Sequence, residues 1–208
     1  MRRSSRGLGE AQMIHPFTRI LPIDEEIGDG VFATQRIPRG TIVWTQDGLD
    51  RVMLEEHLED MSPALRAQVE RYAHLDAARN RILCWDAGRY INHHCDPTLR
   101  GVGPWFQVAR RDIEAGEELT CDYAECNVDP ALECRCGAPG CRRLVHGRDL
   151  LELATGWDRE AAALAVAARA VEQPLWPFLL DPAAAEAWIA GRVPLPSFVE
   201  LCAFRRTA

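Results

Sequence analysis

Cys134, Cys136 and Cys141 stand in a C-x-C-x4-C pattern, with Gly137 and Gly140 in the intervening loop. Tight thiol spacing of this kind suits a tetrahedral zinc, although zinc takes four ligands and this cluster supplies three. Two other segments are dense in groups that can act on a ligand. One is Arg89-Tyr90-Ile91-Asn92-His93-His94-Cys95-Asp96-Pro97, and the other is Gly116-Glu117-Glu118-Leu119-Thr120-Cys121-Asp122-Tyr123, which ends on a phenol. Upstream, Gly28-Asp29-Gly30 lets the backbone approach a ligand closely. Taken alone, such a glycine pair is more often a turn.

The elements that must position these groups follow from periodicity. Phe17–Leu21, Ile27–Ala33 and Thr41–Trp44 carry β-branched and aromatic residues between turn signals, among them Ile37-Pro38-Arg39-Gly40, and read as short strands. Val52, Leu54, Leu58, Leu65, Val69 and Tyr72 fall at helical spacings. Ser62-Pro63 is an N-cap followed by proline at the first helical position, so two short helices are predicted over 51–73. Strands return at Arg81–Trp85, Trp105–Ala109 and Glu118–Cys121. From 149 onward the chain is helical and alanine-rich. Asp158 is expected to cap a helix running through Glu172, Asp181-Pro182 to open another that Gly191 closes, and Ser197 with Glu200 to box the last.

Composition excludes several classes. The 24 basic residues against 31 acidic ones leave a net charge of −7, a poor basis for neutralising phosphates, so no direct nucleic-acid binding is expected. A single compact cysteine cluster also argues against a zinc-ribbon nucleic-acid binder. The basic start MRRSSR is followed by no apolar h-region, and the longest apolar stretch, Ala161–Ala168, falls short of the ~20 residues a membrane span needs. A soluble, intracellular and cytoplasmic protein is expected. In that setting the eight cysteines read as metal ligands or free thiols. Every basic residue is arginine; the sequence has no lysine.

Taken in order, Gly28-x-Gly30, Asn92-His93-x-Cys95-x-Pro97, Gly116-Glu-Glu-Leu-Thr-x-Asp-Tyr123 and Cys134-x-Cys136-x4-Cys141 resemble the signatures of the SET-domain protein lysine methyltransferases, over roughly residues 17–143. The resemblance implies an α+β, mostly β SET fold, with small sheets around a knot-like active site. It implies methyl transfer from S-adenosylmethionine to a lysine of a protein substrate, with cofactor and substrate entering from opposite faces. Gly28, Asp29, Gly30, Tyr90, Asn92 and His93 would hold the cofactor, and Tyr123 would be catalytic. Cys95 would join Cys134, Cys136 and Cys141 on a zinc ion, with Cys126 the competitor for the fourth place. The implied organisation is a tail (1–16), a SET domain (17–124) with a helical insertion (51–80), a post-SET zinc segment (125–148) and a helical C-terminal extension (149–208). No oligomeric state is implied.

Three positions depart from the family pattern. Cys121 replaces the usual aromatic residue two positions before the tyrosine, which implies a roomier pocket. Thr98 replaces asparagine, and His94 replaces serine. Tyr72 and Tyr90 are the remaining tyrosines, neither assigned as a second channel ring. Arg142-Arg143 reads as a solvated face. The competing reading is a non-catalytic SET scaffold that uses the zinc-clipped fold to bind proteins.

Overall fold

The computed structural model describes residues 13–192 and 196–205. Its first half runs β1 (Thr18–Asp24), β2 (Gly28–Ala33), β3 (Ile42–Thr45), β4 (Arg51–Met53), α1 (Glu55–Glu59), α2 (Pro63–Tyr72), β5 (Ala73–Leu75) and β6 (Arg81–Leu83). After a 3-10 turn at Ala87–Tyr90 come β7 (Asn92–His93), β8 (Leu99–Val102), β9 (Phe106–Ala109), β10 (Glu118–Cys121), β11 (Leu132–Glu133) and β12 (Leu144–Val145). Helices α3 (Leu150–Ala168), α4 (Pro182–Ala190) and α5 (Phe198–Leu201) follow. This is the α+β architecture of small sheets with appended helices that the sequence predicts.

The strands form four small sheets, ordered β1-β2-β10-β7, β3-β9-β8, β4-β6-β5 and β11-β12. The first sheet matters most for function. β10 pairs antiparallel with β2, and parallel with β7 through Thr120 opposite Asn92 and Cys121 opposite His93. Three segments distant in sequence thus become neighbouring strands.

Two large cores and a small one at Met53, Leu58 and Val69 divide the molecule. One large core lies between the β1-β2-β10-β7 and β3-β9-β8 sheets and holds Val31, Ile37, Val43, Leu99, Ile113 and Leu119. The other sits where α3 and its companions cover Ile42, Val102, Phe106 and Val108 with Leu150, Trp157 and Leu164. Alanines let α3 come close: a Cβ on Gly40 would lie 2.6 Å from the Ala167 and Ala168 backbone. Gly40 also has φ +91°, so the turn needs glycine for two reasons. Gln173 then finishes the edge, accepting from the Ile42 N–H at 2.8 Å and donating to the Gly40 carbonyl at 3.0 Å.

Several caps match their sequence signals. Ser62 Oγ accepts from the Leu65 N–H, Asp181 from the Ala184 N–H, and Gly191 ends α4 in the left-handed region. Three expectations need correction. Asp158 does not cap α3, which starts eight residues earlier and ends at Ala168 short of Glu172; its carboxylate accepts instead from Ser197 Oγ and the Phe198 N–H at the start of α5. The 51–80 insertion is not wholly helical, because β4 and β5 flank its two helices and pair with β6. Within the expected tail, residues 1–12 lie outside the described residues, whereas Met13–His15 are buried and extend the β3 edge, Ile14 bridging to Trp44. No helix among the described residues is long and apolar enough to cross a membrane.

Candidate active site and metal centre

The Gly28–Gly30, Asn92–His93 and Glu118–Tyr123 segments converge at the β2-β10-β7 junction. Asn92 Nδ2 donates to the Asp29 carbonyl at 3.0 Å and to Glu118 Oε1 at 2.9 Å, tying β7 to both neighbours. That pair explains the second glycine: a Cβ on Gly30 would stand 2.7 Å from Glu118 Oε1 and 3.1 Å from Asn92 Nδ2. Gly28, at φ +88°, faces the Arg71 guanidinium, which donates to the Ile27 carbonyl at 3.0 Å. Glu118 is a residue the sequence reading did not single out, though it lies inside the E-L-T segment.

Tyr123 follows β10. Its hydroxyl donates to the Ile91 carbonyl at 3.1 Å, and its backbone N–H donates to His93 Nδ1 at 3.1 Å. The two rings lie 5.5 Å apart, centre to centre. Burial pushes the phenol well above its usual pKa, so the hydroxyl stays protonated and keeps its hydrogen bond to Ile91. Tyr90 sits on the preceding 3-10 turn, edge-on to Tyr72 at 5.6 Å, with the Arg89 guanidinium stacked on its ring.

A cavity of about 480 Å³ opens on one side of Tyr123. Tyr72, Ile91, Gln107 and Cys121 line it beside Tyr123, while Gly28, Asp29, Gly30, Asn92 and His93 do not. Tyr123 thus lines the cavity while its N–H and ring contact His93 on the strand side, and Arg71 likewise lines the cavity while reaching Ile27 beside Gly28. Cys121 is buried beside Tyr123, with Cys126 as its neighbour.

The four cysteines Cys95, Cys134, Cys136 and Cys141 come together, each Sγ within 4.8 Å of the others, and they can hold a metal ion. Cys95 Sγ lies 3.8 Å from Cys134 Sγ, and Cys141 Sγ lies 3.6 Å from it. The Arg142 N–H points at Cys95 Sγ at 3.5 Å. Burial drives Cys134 up to about 12. Against the same burial, the backbone N–H groups of Cys95 and Ala138 and the neighbouring thiols bring Cys136 down to about 6. Four thiols this close cannot all ionise without a cation among them. Cys126 stays outside the cluster, lining the cavity.

Two surrounding residues differ from their sequence reading. Arg142 is not simply a solvated face: it donates to the buried Asp122 carboxylate at 2.6 Å, behind Tyr123. Thr98 is buried and exchanges hydrogen bonds with Thr120, its N–H to Thr120 Oγ1 at 3.1 Å and the Thr120 N–H to its Oγ1 at 2.8 Å. It splices β10 to the start of β8 and faces neither the cavity nor the glycines.

The SET-domain family model matches residues 28–124. Among curated proteins, the histone-lysine N-methyltransferase EHMT1 of Homo sapiens is 33% identical over 137 residues, covering 56% of this chain and 10% of that protein. The H3 lysine-36 specific histone-lysine N-methyltransferase of Mycosarcoma maydis is 32% identical over 150 residues, covering 62% of this chain and 14% of that protein. The chain thus spans about a tenth of the length of the first curated relatives it matches. The crystal structure of the methyltransferase domain of human histone-lysine N-methyltransferase SETMAR aligns with a TM-score of 0.46 at 18% identity, covering 65% of this chain and 59% of that one.

Proposed function

Residues 28–124 belong to the SET-domain family, and from that premise we propose that this chain transfers a methyl group to the side-chain amine of a lysine in another protein. The observation that carries the reading is Tyr123 lining an open cavity while its N–H and ring contact His93 on the strand side. When bound, S-adenosylmethionine would supply a methyl on a sulfonium, which the amine nitrogen attacks in line as the carbon–sulfur bond breaks and the thioether leaves as S-adenosylhomocysteine. Gly28, Asp29, Gly30, Tyr90, Asn92 and His93 hold the cofactor on the strand side, the glycines by close backbone approach. The substrate lysine enters from the cavity side.

In-line displacement depends on alignment, so what the chain must supply is geometry. The Tyr123 hydroxyl, its proton given to Ile91, keeps its lone pairs free to accept an N–H and so aim the amine lone pair. Ile91 and Cys121 beside it exclude water and favour the neutral amine over the ammonium. Cys121, small where the family pattern carries an aromatic ring, leaves room for an amine that already bears methyl groups.

The four-cysteine cluster suits zinc. Sulfurs about 2.3 Å from a tetrahedral zinc stand about 3.8 Å from one another, close to the 3.6 and 3.8 Å separations here. Cys95, Cys134, Cys136 and Cys141 would hold it and fasten the 132–145 hairpin beside β7. The partner is a lysine-bearing protein. No lysine in these 208 residues can compete with it.

The test is calorimetric titration of S-adenosylmethionine into zinc-replete protein and into Asn92→Ala. Binding in the wild type that is weakened at least tenfold in the variant supports the reading. No binding in the zinc-replete wild type overturns it and leaves a SET-shaped protein-binding scaffold.

A further inference from the structure

The cavity that begins at Tyr123 ends far outside the matched segment, against Phe198 and Leu201 of α5. A helix of one turn has no stability of its own in water, so its position must be imposed. Asp158 holds its start, accepting from Ser197 Oγ at 2.7 Å and from the Phe198 N–H at 2.9 Å. Asn127, 2% exposed, holds its end: Nδ2 donates to the Leu201 carbonyl at 3.0 Å and Oδ1 accepts from the Ala203 N–H at 2.8 Å. The same Asn127 amide donates to the Leu75 carbonyl on the opposite wall at 3.0 Å. One buried side chain thereby sets the width of the cavity at this end. Phe198, 4% exposed, is braced edge-on by Trp157 at 5.3 Å.

At this end Leu75, Val128, Phe198 and Leu201 supply the apolar lining, beside Asp76, Glu125, Asn127 and Asp129. The carboxylates nearby are already engaged: Asp129 by Arg79 at 2.8 Å, Glu125 by Arg100 and the Gly101 N–H, and Asp76 by the Asn80 amide at 2.9 Å. No carboxylate among these is left to meet a substrate charge.

We propose that α5 is the selectivity wall of the substrate channel, and that it fits an apolar side chain adjacent to the target lysine. The inference rests on the methyl-transfer reading above and names the substrate feature that reading leaves open. Phe198 and Leu201 touch the substrate, while Asp158 and Asn127 are positioning residues that act through α5.

The test uses zinc-loaded full chain, methyl-labelled S-adenosylmethionine and a peptide library with one fixed lysine, whose neighbours are varied through Leu, Ala, Ser, Asp and Arg. Wild-type protein is expected to prefer Leu over Asp at one neighbouring position by about tenfold or more in kcat/KM, the scale on which an apolar pocket discriminates. Phe198→Ala should flatten that preference, with the change falling on KM for the Leu-flanked peptide and cofactor affinity retained. Leu201→Ala, at a half-buried position, makes the same test should Phe198→Ala fail to fold. Transfer without flank preference in the wild type, or a preference unchanged in a folded variant, overturns the proposal alone. Transfer to no peptide, with cofactor unbound, overturns the methyl-transfer reading and the wall with it.

Discussion

The Tyr123 hydroxyl donates to the Ile91 carbonyl at 3.1 Å, linking the second residue past β10 to the one before β7 across the parallel pairing of those strands. The bond holds the ring between the cavity and His93. Tyr123→Phe keeps the ring and removes the hydroxyl. It is expected to lower kcat by about 10²-fold or more, the scale of losing one oriented polar group at a reacting centre. S-adenosylmethionine affinity should stay within about threefold. Calorimetry and a transfer assay on the same sample read both, and unimpaired transfer would remove Tyr123 from the mechanism.

Zinc should be stoichiometric and structural. Purified protein is expected to contain about one zinc per chain, and Cys95→Ser to reduce that content sharply. Cys126→Ser should leave it unchanged, because its thiol stands outside the cluster. Chelation should lower the melting temperature and free the 132–145 hairpin for proteolysis. Equal zinc loss in both variants would mean the fourth ligand is misassigned.

Cys121 is buried against the cavity beside Tyr123. Cys121→Phe places a ring in space now open, and the product should shift toward fewer methyl groups per lysine. Mass spectrometry of the modified substrate reads the distribution, and an unchanged distribution would show that this position does not set it.

Arg100 is 2% exposed, pairs with Glu125 and Glu160, and stacks on Trp157 at 4.2 Å. Removing its charge in Arg100→Met leaves the buried Glu125 carboxylate without a cation, while Glu160 keeps Arg110. The expected cost is about 3–5 kcal/mol, or roughly 6–20 °C of melting temperature for a domain of this size. A variant that melts with the wild type would show the network to be neutral.

His15 is 3% exposed, and burial lowers its pKa to about 4. Its Nδ1 accepts from the Phe17 N–H at 3.2 Å, a bond only the unprotonated nitrogen can make. The unfolded chain takes this proton near pH 6.5 and the folded chain near 4. Stability is therefore full above about 6.5 and is lost as pH falls through that window, by at most about 3.5 kcal/mol at ~1.4 kcal/mol per pH unit. Denaturant melts across pH 7 to 4 should show this acid slope, reduced in His15→Gln.

Residues that recognise their neighbours by local chemistry were legible in the sequence. Ser62-Pro63, Asp181-Pro182 and the Ser197–Glu200 box each announced a helix start because a cap satisfies N–H groups within three residues. The ordered glycine, Asn-His and Glu-Leu-Thr-x-Asp-Tyr segments were legible through their resemblance to SET-domain signatures, and the fold brings them together at the β2-β10-β7 junction. Positions whose partners lie far along the chain were not legible. Val52 sits at a helical spacing, yet β4 forms because Arg81–Leu83 is there to pair with it. Asp158 looks like a cap before an alanine run, but its partner is Ser197. Arg142 is drawn inward by the buried Asp122, and the α5 wall is assembled by side chains at 127 and 158.

The covering of β3, β8 and β9 by α3 also bears on how the protein is made. Synthesis delivers those strands first, and their apolar outer face has nothing to rest on until residues 150–168 have left the ribosome. A nascent chain carries an uncovered sheet from the completion of β9 until α3 has emerged, and needs either speed or a chaperone to keep it from sticking. By the same logic residues 28–124, cut out alone, would not behave as a separable fragment: their second core is completed by helices that the matched segment does not contain.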